Sequence, residues 1–173
     1  MIEISIFCYH HLMAKQTDSA GSTSALDAAA ERLRHSVITD DLSFLLARAN
    51  ALSLAAGNAA LSEHGLRARS YSVLALAAGD ARPSQRELAE FLRLDPSQVV
   101  ALVDDLQARG LVRREPDPSD RRANVVIATA QGFGLFERAQ VAAREAEENL
   151  HRELTVAERD QLGRLLRLLA FPA

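Results

Sequence analysis

Tryptophan is absent, and the chain carries one cysteine, Cys8, and one lysine, Lys15. A single thiol excludes an internal disulfide and any zinc site built on several thiolates. It also suits a reducing, cytoplasmic compartment. Aromatic residues fill only 5% of the 173 positions, although 48% are hydrophobic. Alanine and leucine therefore occupy most apolar positions, which favours close helix packing over a sheet sandwich. A strong charge excess is missing too. The formal net charge is -3, so no global basic field advertises a nucleic-acid partner, and only local charge distribution can. No apolar run approaches the roughly 20 residues of a membrane span, so no membrane partner is expected. The start, MIEISIFCYHHLM, lacks the basic segment and small-residue cleavage pattern of a signal peptide.

Of the 20 basic residues, all but Lys15 are arginine. Arginine suits forked contacts with phosphate and bases, although a compositional bias of the coding sequence produces the same excess. Residues 1–25 read as a flexible tail: a short apolar run, then the small, polar AKQTDSAGSTSA. Met13 is a second candidate start. His10 and His11 adjoin each other without further ligands and do not make a zinc site.

Beyond the tail, helical periodicity dominates. Leu26 to Val37 predicts a short helix with Leu26, Ala29, Ala30, Leu33 and Val37 on one face. Thr39 or Asp40 is the expected cap of a longer helix, from Asp41 to about Ser62. That helix is apolar on more than one side, so it needs more than one neighbour. Another helix is predicted over about Ala68 to Ala78, with Tyr71, Leu74, Ala75 and Ala78 together.

The most informative stretch runs from Ser84 to Gly132. Ser84 and Glu87 match a capping box, opening a helix over Gln85–Leu92 that buries Leu88, Ala89 and Leu92. Asp95–Pro96 is a second start signal, an N-cap followed by an N1 proline. The helix Pro96–Arg109 buries Val99, Leu102, Val103 and Leu106 and ends at Gly110. So short a connection between two helices is the helix-turn-helix signature. Leu111–Arg114 and Asn124–Ala128 are strand candidates, with Val125 and Ile127 facing the core. Their connector, EPDPSDRRA, is too long and charged for a tight hairpin and suits an exposed wing. Thr129 caps a long helix over 131–153. Thr155 with Glu158 opens a last one, where Leu162, Leu165, Leu166 and Leu169 recur at helical spacing.

The segment from Asp95 to Gly132, and ARGLVRREPDPSDRR above all, resembles the MarR family of bacterial transcription regulators. The likeness extends more weakly over Asp40–Leu169. It implies a mainly α fold with a small β-wing: a winged helix-turn-helix with N- and C-terminal dimerisation helices. Residues 26–66 and 133–173 would pair two copies, and 67–132 would form the DNA-binding lobe. The implied protein is a homodimeric repressor, released from pseudo-palindromic double-stranded DNA by a small aromatic or anionic ligand. No cofactor is implied.

Residue by residue, the resemblance offers Arg122 to the minor groove, with Asp120 orienting it and Arg121 on phosphate. Ser84 and Arg86 begin the first helix of the pair. Ser97 and Gln98 begin the second and can reach phosphates or base edges, where glutamine can read adenine; all four are DNA-contact candidates. Ala101 and Asp105 stand where many members carry arginine or another basic residue. That helix therefore offers DNA little charge, and affinity falls more to helix N-termini, the wing, and Arg82, Arg86 or Arg93. A ligand cleft of the family's kind would draw its walls near Phe44, Arg48, His64, Arg67, Arg69 and Tyr71. The competing reading makes Phe44 and Tyr71 core residues and leaves the charged groups solvated. Some members sense peroxides through a Leu-Cys-Phe cysteine. Here Leu42-Ser43-Phe44 occupies that place, and serine forms no sulfenic acid.

Two other classes compete. An enzyme would need a nucleophile elbow, phosphate loop, dinucleotide fingerprint or metal cluster, and none is evident. His35, His64 and His151 are scattered. A winged helix used only for protein contacts is the remaining alternative, kept open by the weakly basic second helix.

Overall fold

The computed structural model describes residues 25–117 and 123–172. It divides into two compact units, Met1–Asn50 and Ala51–Ala173. Residues 25–34 form helix α1. Helices α2 (Leu42–Leu61), α3 (Ala68–Ala78), α4 (Gln85–Leu92) and α5 (Pro96–Ala108) follow. Strands β1 (Val112–Pro116) and β2 (Asn124–Ala128) pair antiparallel, with Val112 opposite Ala128 and Pro116 opposite Asn124. Helices α6 (Ala130–Leu150) and α7 (Val156–Ala170) complete the chain. The mainly helical class with one small antiparallel sheet is as the sequence implies. The expected tail, with Cys8, His10 and His11, lies outside the described residues apart from its last position.

In the first unit no described residue is buried. Leu26, Leu33, Val37 and Leu42 are 68%, 67%, 89% and 81% exposed. The cap of α2 is Asp41, not Thr39 or Asp40: its Oδ1 accepts the Phe44 N–H at 3.0 Å. Val37–Asp40 is already committed to a 3-10 turn, where Thr39 Oγ1 donates back to the Ser36 carbonyl. The expectation about apolar length also needs correction. Leu42–His64 spans 23 residues at a mean hydropathy of 1.2, enough by length and composition alone to cross a membrane. Serine and asparagine interrupt every run by eye, while the intervening Ala and Leu raise the mean.

The second unit holds the core. Leu61, Leu66, Val73, Leu74, Leu88, Val99, Val103, Leu106, Val112 and Val126 are almost fully buried. Each such side chain contributes about 1.5–3 kcal/mol on leaving water. Helix α3 turns Ser70, Val73, Leu74 and Ala77 inward. Tyr71, Ala75 and Ala78, expected on that face, are only half-buried. Strand β2 is corrected as well. Val126 enters the core and Ala128 packs against it, whereas Ile127 is half-buried. Val125 is buried for another reason. The extended Pro83–Ser84 segment lies alongside β2, with Val126 N–H donating to the Pro83 carbonyl at 2.8 Å and Ser84 bridging Val125. That third, strand-like neighbour has no alternating pattern to reveal it.

The helix boundaries follow their caps. Ser84 and Glu87 form the capping box of α4, and Thr155 and Glu158 that of α7. Asp95 caps α5, and the Thr129 hydroxyl accepts the Gly132 N–H at the start of α6. Gly110 leaves α5 at φ 69°. Arg93 leaves α4 at φ 53°, a left-handed conformation that costs a side-chain-bearing residue about 1 kcal/mol or more.

Gly132 fixes how α6 meets β1. A Cβ there would lie 1.8 Å from the Leu111 carbonyl oxygen, a backbone atom that cannot swing aside. Gly132→Ala is expected to destabilise the chain by roughly 3 kcal/mol, read by urea denaturation. An unchanged midpoint would contradict this packing.

Candidate nucleic-acid interface

Helix α5 buries Val99, Val103 and Leu106 and exposes Ser97, Gln98, Val100, Ala101, Asp104 and Asp105. Its exposed side thus begins in polar side chains and continues into two acids. Both acids are matched. Asp104 accepts from Arg114 Nη2 at 2.6 Å, and Asp105 from Arg109 Nη1 at 3.2 Å. The recognition helix is therefore close to neutral rather than acidic.

Arg114 does more than cancel a charge. From β1 it donates Nε to Gln85 Oε1 at 2.9 Å and Nη1 to Gln107 Oε1 at 2.7 Å, besides its bond to Asp104. One guanidinium thereby joins the sheet to the first turn of α4 and the far half of α5. Beside it, Glu115 accepts from Arg113 Nε at 2.7 Å and from Arg82 Nη2 at 2.8 Å. The Arg113 bond, then the Arg82 bond, hold the Glu115 carboxyl below the usual carboxylate range. Arg82, Arg113 and Arg114 are thus occupied within the fold, and Arg109 is half-occupied. Arg93 has no side-chain partner among the described residues and stands free at the turn.

The two serines are also occupied. Ser97 Oγ donates to Asp95 Oδ1 at 2.5 Å, and the Ser97 N–H to the same oxygen at 2.8 Å. These bonds, the hydroxyl's first, lower the Asp95 pKa. Ser84 gives its N–H and its hydroxyl to Glu87 Oε2 at 2.7 and 2.8 Å. The backbone bond, then the hydroxyl bond, lower the Glu87 pKa. Neither serine keeps a hydroxyl proton for a phosphate while its cap is closed. Arg86 is highly exposed and pairs with Glu90 at 3.0 Å, a surface pair that DNA can displace. Gln98 is exposed with its amide uncommitted. The wing narrows at Asp117, whose N–H donates to the Ala123 carbonyl at 2.9 Å. Asp120, Arg121 and Arg122 lie outside the described residues.

A cavity of about 730 Å³ opens along α5. The C-terminal part of α2 contributes Leu54 and Asn58, the start of α3 contributes Arg67 and Arg69, and α5 contributes Gln98, Leu102 and Asp105. Of the sequence-derived ligand candidates, Arg67 and Arg69 line this cavity. His64 ends a 3-10 turn and Tyr71 stacks on Phe136 at 6.0 Å, and neither lines it. Burial, opposed by the Arg144 charge, pushes the Tyr71 hydroxyl pKa up. Phe44 is half-buried and Arg48 exposed in the first unit. Arg109, Asp105 and Asn58 were not among the ligand candidates. The i,i+4 spacing of Asp105 and Arg109 was the signal available for the first two. For Asn58 there was none: its Oδ1 accepts the Ala68 N–H across ten residues, at 2.8 Å.

Residues 64–123 match the model of the MarR family. A MarR-family transcriptional regulator from Rhodococcus sp. RHA1 is 40% identical over 80% of this chain and 98% of its own, with a TM-score of 0.75. The chain belongs to the MarR family. CouR from Rhodococcus jostii RHA1, in a structure with p-coumaroyl-CoA, is 38% identical over 79% of this chain and 96% of its own, with a TM-score of 0.72. The repressor NicR of Pseudomonas putida is 36% identical over 84 residues, 49% of this chain and 53% of NicR. The chain spans 60% or less of the length of the curated relatives it matches. These relatives are transcription regulators by name.

Two outcomes follow from the capped, clamped lobe. Asp95 and Glu87 have lowered folded pKa values, so their contribution to stability is complete above the unfolded value of about 4. It is lost as pH falls through the lower folded values. A Glu87→Gln, Asp95→Asn double variant should therefore lose less melting temperature than the wild type on acidification from pH 5 to about pH 2. Equal slopes would remove the caps as the cause. Arg114→Ala should cost about 1–2 kcal/mol in urea denaturation, since it breaks bonds to two helices at once.

Proposed function

We propose that this MarR-family chain is a homodimeric, cytoplasmic repressor that binds a pseudo-palindromic DNA site and is released by an anionic aromatic effector. The carrying observation is the form of α5. Its inner face is locked into the core, its outer face carries an uncommitted Gln98, and arginines compensate both of its acids. In this reading residues 67–132 are the DNA-binding lobe, with Gln98 at base edges and Arg86, Arg93, Arg121 and Arg122 near phosphates or the minor groove.

Dimerisation falls to residues 26–66 and 133–173. Leu42, Leu45, Leu46 and Leu52 on α2 are 81%, 44%, 49% and 51% exposed, and Leu168 and Leu169 on α7 are 63% and 70%. Apolar surface on this scale marks an interaction site. A second copy would cover it and set two recognition helices roughly 34–36 Å apart. The same pairing accounts for α2 without a membrane. The effector assignment is supported by the arginine-lined cavity and by CouR, solved with p-coumaroyl-CoA. A winged helix serving only protein contacts is the second reading. It is favoured by α5 itself, which from Pro96 to Ala108 contains no basic residue.

Genome-wide mapping of bound fragments, with light scattering on the same preparation, separates these readings. Binding confined to inverted repeats by a dimer is the expected result. A monomer, or the absence of a preferred site, overturns the repressor reading. On the mapped site, Arg122→Ala should cost about 1–3 kcal/mol of binding free energy by fluorescence anisotropy. Unchanged affinity would remove the wing from the interface.

A further inference from the structure

The two acids on the exposed side of α5 are neutralised in different ways. Asp104 is held by Arg114, whose other guanidinium bonds reach Gln85 and Gln107, and neither Asp104 nor Arg114 lines the cavity. Among the described residues Asp105 is held only by Arg109, one turn later, through a single contact at 3.2 Å. Both members of that second pair line the 730 Å³ cavity. One acid is thus permanently compensated. The other depends on a residue that a bound molecule can reach.

We propose that an anionic effector works as a charge switch at this pair: it takes Arg109 from Asp105 and leaves that carboxylate uncompensated on the DNA-facing side of α5. The inference rests on the preceding reading of α5 and of the effector cavity, and adds the residues that couple them.

The cavity chemistry selects an anion. Arg67, Arg69 and Arg109 face one carboxylate, Asp105, and neither Arg67 nor Arg69 has a side-chain partner among the described residues. The Asn58 oxygen already accepts the Ala68 N–H, so the amide NH₂ is its uncommitted group. Leu54, Ala68, Ala101 and Leu102 add apolar wall, which suits an aromatic or acyl body joined to the anionic group. The volume lies within the usual range for small-molecule sites, roughly 300–1,000 Å³.

The exchange is favourable on geometry. The Asp105–Arg109 pair is a single contact between side chains 60% and 34% exposed, and exposed pairs of this spacing are weak. A carboxylate or phosphate that meets the guanidinium with two oxygens makes the stronger, forked bond. Gly65 lets the Arg109 guanidinium lie close to its turn. A Cβ at that position would stand 3.2 Å from Arg109 Nη2, a tight contact that the guanidinium would have to shift a little to relieve. After the exchange, α5 presents one uncompensated negative charge to DNA, and the effector places its own charge beside Gln98 and Ala101. Both act against phosphate.

The test uses the full chain and a duplex from the mapped sites, with operator affinity read by anisotropy at several salt concentrations. Arg109→Gln, which unmasks Asp105 permanently, should weaken operator binding about tenfold without any effector and lower the salt slope by about one. Adding Asp105→Asn should restore most of that affinity, which simple damage to α5 would not allow. Asp105→Asn alone should still bind p-coumaroyl-CoA or p-coumarate by calorimetry. It should lose operator affinity at least about threefold less than the wild type when either is added. A response to the thioester alone assigns the exchange to its phosphates; a response to both assigns it to any aromatic anion.

Unchanged affinity in Arg109→Gln, an equal effector response in Asp105→Asn, or no wild-type response to either probe overturns the switch. If the wild type still binds its operator in those cases, the DNA-binding reading survives. If the wild type binds no duplex at all, both fall.

Discussion

The Arg114 guanidinium, on a two-stranded sheet too small to be stable alone, reaches the first turn of α4 and two positions on the exposed side of α5. A recognition helix is useful only if its orientation to the wing is fixed, because groove and backbone contacts must be made together. Core packing of Val99, Val103 and Leu106 sets the depth of α5 but tolerates rotation, since apolar contacts are not directional. The planar fork of an arginine is directional. It couples the wing, the entry to α4 and the length of α5 into one body, and removes one negative charge from the DNA side while doing so. The Arg82–Glu115–Arg113 triad extends the same lattice along the strand.

That compact lobe contrasts with the rest of the chain. The first unit has no buried described residue, and the leucines of α7 lie largely in solvent. A chain of this length ordinarily buries most of its large apolar side chains. Sequence and structure therefore divide the work. Helices α3 to α6, the sheet and the C-terminal end of α2 at Leu61 make the core, while α1, the rest of α2 and α7 carry exposed hydrophobicity. On the proposed reading a second copy would cover it, because a regulator that reads a palindrome needs two lobes at one fixed spacing.

Much of this was legible in the sequence, and the reason is local. Ser84–Glu87, Asp95–Pro96, Gly110 and Thr155–Glu158 are signals whose meaning depends on neighbours within three or four residues, and each marks the boundary expected of it. What escaped depends on distant chain. Val125 and Ile127 were assigned inward by alternation, and Val125 is buried, yet Val126 rather than Ile127 is the other buried residue, because the Pro83–Ser84 segment covers β2 as well. Ser97 and Ser84 looked available to phosphate because a sequence lists side chains, not the hydrogen bonds that occupy them. Asn58 reached the cavity wall through one long-range bond that no spacing announces. The family resemblance located the wing and the two-helix reader. It placed Arg67 and Arg69 at the cavity but missed Asn58, Asp105 and Arg109, because the walls combine three helices.

The near-neutral reader then becomes intelligible as a thermodynamic choice. A regulator bound by many fixed cations would demand a large differential interaction from any effector that releases it. Coupling between two ligands is commonly only about 1–3 kcal/mol. Operator affinity must therefore sit close enough to threshold for that amount to matter. A recognition helix with paired acids, and with no basic residue of its own from Pro96 to Ala108, would on the proposed reading hold affinity in that range. It also places the adjustable charge at the contact surface. Specificity can still come from Gln98 and from the shape of the groove, neither of which needs net charge. On the proposed reading, what looks in the sequence like a poorly armed recognition helix becomes the condition under which a small anion could govern a DNA-bound dimer.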